Sequence, residues 1–156
     1  MATKRKKKAS RSTKRSAGKK RPARKRGGAK PKARAGGGDL RAFARRIVAV
    51  TQSNDDEATL ALYADDVEST EQGQQPTRGI DSIRQKFAGW RSMVSDARFE
   101  PRRVCVDGNT IVIEWVGDVT LTASGNRAQL HEVAIHEIRD GKITREAYFY
   151  DPSALR

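Results

Sequence analysis

The sequence predicts an α+β domain behind a basic N-terminal arm, and three features of its 156 residues carry that reading. Charge is divided along the chain. Residues 1–38 hold 17 Lys/Arg and no Asp or Glu, whereas residues 39–156 hold 15 Lys/Arg against 19 Asp/Glu, so +17 and 15 − 19 = −4 make up the net +13. Apolar residues recur at helical spacing as far as residue 94 and then fall in extended runs rich in β-branched and aromatic side chains. Those runs are separated by Asp107-Gly108, Ser124-Gly125-Asn126 and Asp140-Gly141, each a hairpin signal. Helices first and an antiparallel meander afterwards is the α+β order, not the alternation of a parallel sheet.

The arm, residues 1–38, has no large apolar residue between Met1 and Leu40. A segment with nothing to bury cannot offset an ordering entropy of roughly 1–2 kcal/mol per residue, so it is expected to be disordered. Gly36-Gly37-Gly38 forms the joint to the domain expected at 39–156.

Within that domain Asp39 is a plausible helix N-cap, and Leu40, Phe43, Ala44, Ile47 and Val48 form one stripe of a first helix. Asn54 with Glu57 reads as a capping box for a short second helix running to about Tyr63. Residues 66–78 read as a strand or strand pair broken by a Gly/Pro turn. Asp81 caps a third helix whose face carries Ile80, Ile83, Phe87, Trp90 and Val94. The extended runs Val104-Cys105-Val106, 111–121, 130–138 and 143–150 supply the meander. The lone Cys105 excludes an internal disulfide. No apolar run reaches the ~18 residues of a membrane span, and the N-terminus lacks the apolar core of a secretory signal or the apolar face of a transit peptide.

Three stretches, YADDVESTEQG (63–73), RGIDSIRQKFAGW (78–90) and HEVAIHEIRDGKITREAYFYD (131–151), occur in an order and spacing that resembles the SnoaL-like members of the nuclear transport factor 2-like superfamily, relatives of ketosteroid isomerase. The resemblance covers nearly all of 39–151 and none of the arm. It implies a cone in which three helices lie against a strongly curved antiparallel sheet, with a pocket at the open end and dimers often formed through the sheet. Activity does not follow from this fold, whose members isomerise, cyclise, hydrolyse or only bind.

Ketosteroid isomerase uses a first-strand carboxylate as general base, and the matching position here is Glu71. Its helix-one tyrosine donor is matched by Ile47, which donates nothing and argues against steroid isomerisation as such. Glu132 is the second candidate acid. If Asp140-Gly141 makes a two-residue turn, residues paired across it sum to 281. Glu132 then shares a face with Ala134, His136, Ile138, Ile143, Arg145, Ala147 and Phe149, opposite His131, Val133, Ile135, Tyr148 and Tyr150. Apolar neighbours favour the Glu132 face as the inner one. Glu71 and Glu132 could divide acid and base roles, or each could be held by Arg78, Arg91 or Arg145. His136 is a candidate acid–base group or a core histidine. Tyr63, Phe87, Trp90, Trp115 and Phe149 are candidate pocket walls. His131 and His136 point to opposite faces, so no zinc set and no cofactor is expected.

The arm's Lys4, Arg5, Lys6, Lys7, Lys8, Arg11, Lys14, Arg15, Lys19, Lys20, Arg21, Arg24, Lys25 and Arg26 are expected to contact nucleic-acid phosphates without sequence preference, since no aromatic residue accompanies them. Their setting is similar in composition to linker-histone tails. The leading expectation is a small-molecule pocket domain tethered to nucleic acid, cytoplasmic and nucleoid-associated in a bacterium or nuclear in a eukaryote. The alternatives are an isomerase, cyclase or hydrolase using Glu71, and a non-catalytic nucleoid or dimerisation module.

Overall fold

The computed structural model describes residues 37–156; the fourteen arm cations from Lys4 to Arg26 lie outside them. The first helix, α1 (Gly37–Ser53), starts two residues ahead of Asp39, the expected cap. It ends where Asn54 turns to a positive φ of 53° and sends its Nδ2 to the Ala97 carbonyl at 3.1 Å. Asn54 is therefore the stop of α1, and the cap of α2 (Asp56–Leu60) is Asp55, which accepts from the Ala58 N–H. Likewise α3 (Ile80–Met93) is preceded by Gly79 at φ 85°, and Asp81 lies in its first turn, where its charge suits the helix dipole. Val94 does not continue the α3 face but opens a strand.

Six strands follow or interleave: β1 (Tyr63–Glu71), β2 (Thr77–Arg78), β3 (Val94–Asp107), β4 (Thr110–Leu121), β5 (Arg127–Arg139) and β6 (Lys142–Tyr150), with a 3-10 turn at Pro152–Leu155. They form one curved sheet in the order β2-β1-β6-β5-β4-β3 against which the helices pack. Pairing is antiparallel except between β1 and β6, which run parallel because the chain crosses by way of α3 and the meander before β6 returns to β1. Phe43, Ile47, Tyr63, Val67, Ile83, Ile111, Ile113, Trp115 and Ile143 share the main core, and Val94, Ala97, Val119 and Leu121 form a second cluster.

The last hairpin departs from the expected register. Asp140 (φ 52°) and Gly141 (φ 74°) both take the left-handed region that a two-residue primed turn demands. Arg139↔Lys142 and Ile138↔Ile143 then pair as the 281 rule requires. Beyond them Glu137 pairs with Arg145, so Thr144 is an extra residue and the register advances by one. A one-residue bulge exchanges the faces of everything that follows. Glu132 and His136 remain inside, as expected, but Glu146, Tyr148 and Tyr150 now join them. Phe149 turns outward, 47% exposed, and pairs with exposed Val133; its assignment to the pocket wall is corrected.

Ile83 is fully buried between α3 and the sheet. Ile83→Ala is expected to lower unfolding stability by about 2–5 kcal/mol, read by denaturant unfolding with an unchanged m-value.

Candidate functional site

The shifted register lines up three cross-strand rows on the inner face. Ser69, Glu146, His136 and Ile111 are successive partners across β1, β6, β5 and β4; Glu71, Tyr148, Ala134 and Ile113 form the next row, and Tyr150, Glu132 and Trp115 the third. α3 lies over these rows and contributes Lys86. That lysine is three residues after Ile83 and four before Trp90, so helical spacing itself places it on the inward stripe.

Glu146 is 0% exposed. Its Oε2 accepts from Tyr63 Oη at 2.5 Å and Tyr148 Oη at 3.0 Å. Its Oε1 accepts from Ser69 Oγ at 2.7 Å and Lys86 Nζ at 2.9 Å. Burial works against the ionised form, but Lys86, His136 and the hydroxyl donors together hold the carboxyl below its usual range. Lys86 Nζ also reaches Glu71 Oε1 at 2.9 Å and sits 3.8 Å above the Tyr148 ring. Burial opposes its charge, and the two carboxylates outweigh burial, so its pKa is raised. Glu71 accepts from Tyr150 Oη at 2.8 Å on its other oxygen. Tyr63 and Tyr148 titrate well above the usual phenol range, through burial first and then the Glu146 charge.

Glu132 stands apart. Its carboxyl makes no hydrogen bond or ion pair with any described residue, and the arginines considered for it are spent elsewhere: Arg78 and Arg145 on Glu68, Arg91 on Asp56. Removal from water raises its carboxyl most; Lys86 pulls it down, and Glu71 and Glu146 push it up again, to about 7. His136 behaves oppositely. Burial lowers it to about 4, so it is neutral at neutral pH, and the 3.8 Å approach of Nδ1 to Glu146 Oε2 is not an ion pair there. That buried Nδ1 has no hydrogen-bond partner among the described residues.

Most of these groups, though not the fully buried Glu146, line a cavity of about 510 Å³. Tyr63, Phe87, Trp90 and Trp115 all line it, as do Glu71, Glu132 and His136; Phe99, Leu62, Leu130 and Ile143 complete the apolar wall. Ile47 borders it where the resemblance implied a tyrosine, while Tyr63, Tyr148 and Tyr150 bring hydroxyls from the sheet instead. Sequence reasoning missed Lys86, Ser69, Glu146, Tyr148 and Tyr150. The spacing of Lys86 from Ile83 and Trp90 was a readable signal; nothing local announced the bulge that turns the last three inward. Among the described residues no group of three or more His, Cys, Asp or Glu is placed to hold a metal ion, and no helix is long and apolar enough to cross a membrane.

Comparison with known proteins matches residues 44–146 to a family described as the SnoaL-like domain. Among solved structures the chain is similar to an NTF2-like protein of unknown function from Burkholderia pseudomallei, at 19% identity over 72% of this chain and 91% of that one, TM-score 0.67. It is similar also to TerC co-crystallised with polyporic acid, at 23% identity over 73% of this chain and 92% of that one, TM-score 0.64. A third is an epoxide hydrolase of Mycobacterium tuberculosis, at 18% identity over 73% and 84%, TM-score 0.60. At these identities the structural likeness shows the fold alone. No curated protein matches.

The two displaced pKa values act on stability with opposite signs. Between pH about 4 and 6.5 unfolding lets His136 take up a proton, so stability rises with pH; between about 4.5 and 7 unfolding makes Glu132 release one, so stability falls with pH. In the overlap the two slopes offset each other. Glu132→Gln removes the falling component, and its stability minus that of the parent is expected to climb by roughly 1.4 kcal/mol per pH unit from about pH 5 to 6.5. Chemical denaturation at stepped pH checks this; a flat difference means Glu132 titrates normally.

Proposed function

The chain belongs to the SnoaL-like domain family, and from that premise we propose that its cavity binds a small, uncharged, largely apolar carbonyl compound and moves a proton on it through Glu132. The observation that carries this reading is a carboxyl raised to about 7, without a hydrogen-bond or ion-pair partner among the described residues, facing a cavity walled by aromatic side chains. A base poised near the working pH combines a usable fraction of the ionised form with a real affinity for the proton it abstracts. The Glu132 carboxylate takes a proton from the carbon beside the carbonyl; the electron pair of the broken C–H bond forms the C=C bond of an enolate as the carbonyl π pair moves to oxygen, and the carboxyl returns a proton to carbon. Lys86 supplies the positive charge that offsets the developing enolate. Glu71 is bound to Lys86 and Tyr150 and serves to position them rather than to take the proton. With three carboxylates against one ammonium, the site repels anionic ligands. The similarity to an epoxide hydrolase and to a protein co-crystallised with polyporic acid supports a small organic ligand.

Exchange of α-protons of uncharged aryl ketones into D₂O, followed by NMR, tests the reading. Glu132→Gln is expected to slow exchange by about 10²-fold or more, while rate against pH rises through about 7 in the parent. If Glu71→Gln and not Glu132→Gln abolishes exchange, the base is Glu71 and the assignment is wrong.

For residues 1–38 we propose phosphate contact, supported by 17 cations without one acidic residue. If about 8–10 phosphates are engaged, the log of duplex-DNA affinity falls against log salt with a slope of roughly −7 to −9. Gel-shift titration of the full chain checks the slope, and an equal shift by a chain lacking residues 1–36 removes the arm from the account.

A further inference from the structure

Gly117 lies on β4 directly opposite Phe99 on β3. Its φ is outside the left-handed region, so the backbone does not ask for glycine there. Space does. A Cβ at 117 would stand 2.6 Å from Phe99 Cε1, 2.9 Å from Cδ1 and 3.1 Å from Cζ, closer than packed atoms approach. The Phe99 ring rests in that hollow with its centroid 6.1 Å from Trp90 and 6.2 Å from Trp115, the latter edge-on at 80°. Phe99, Trp90 and Trp115 line the cavity and Gly117 does not, so the ring stands between the glycine and the ligand space. A side chain at 117 would displace this ring, and the space the ring borders is the cavity. Phe99 also packs against both apolar clusters.

We infer that Gly117 is the specificity-determining residue of this site: by seating Phe99 outside the ligand space it reserves width for a flat, fused two-ring ligand. This rests on the cavity being a ligand site, as proposed above, but not on Glu132 being its base.

Both tryptophans of the chain line the cavity, so their fluorescence reports entry. Titration of the full chain with 2-acetylnaphthalene and with acetophenone is expected to show the two-ring ketone binding about tenfold tighter, from the area of the added ring. Gly117→Ala brings the ratio to about one, and adding Phe99→Leu to it restores the preference, which general damage to the fold would not allow. A ratio unchanged in Gly117→Ala, a preference that Phe99→Leu fails to restore, or no preference in the parent overturns the inference. Should Gly117→Ala fail to fold, Phe99→Leu alone decides, since it must favour 2-acetylanthracene over 2-acetylnaphthalene relative to the parent; an unchanged ratio overturns it. Loss of the proton-transfer role of Glu132 would leave all these ratios intact, because binding is read and not turnover.

Discussion

A carboxylate sealed from water organises this domain. An ionised acid in a protein interior forfeits several kcal/mol of hydration unless its lone pairs are met by well-placed donors. Glu146 meets four: Tyr63 and Ser69 from β1, Tyr148 from its own strand and Lys86 from α3. Those partners come from elements far apart in the chain, so the carboxylate ties α3 to the one parallel pairing of the sheet. Removing any donor would strand charge where water cannot replace it.

The same arrangement explains why Glu132 differs from its neighbours. Lys86 is committed to ion pairs with Glu146 and Glu71, each at 2.9 Å. Glu132, one row further along the sheet, is raised first by burial and then by the repulsion of both, with only part of the compensation from Lys86. Burial raises both acids and Lys86 lowers both, but only Glu146 also has hydrogen-bond donors enough to end below its usual range. The aromatic wall sharpens the contrast, because none of its side chains hydrogen-bonds the Glu132 carboxyl. Separation of titratable groups in this manner is how a fold equips a site for proton transfer near neutral pH.

Much of the fold was legible because hydrophobic period survives without tertiary context. The stripe of Phe43, Ala44 and Ile47, the alternation from Ile111 to Leu121 and the Asp140-Gly141 turn all stand where local chemistry places them. The errors cluster at element ends. Asn54, Asp55, Gly79 and Asp81 all suit a helix start, and only the chain's path selects among them. Val94 continues the α3 period numerically, yet a strand takes it because β4 offers Leu121 as its partner.

By itself the sequence determined the order of elements, the sharing of one face of β5 by Glu132 and His136, and the segregation of cationic arm from acidic domain, since each depends on residue type and on spacing within one segment. Tertiary structure alone decided that Glu146, Tyr148 and Tyr150 turn to the inner face and Phe149 leaves it. That outcome hangs on one extra residue, Thr144, accommodated because the parallel partner β1 presents Ser69 to Glu146 in the shifted register. A bulge is stabilised by what lies across it, and what lies across β6 comes from a strand some eighty residues away.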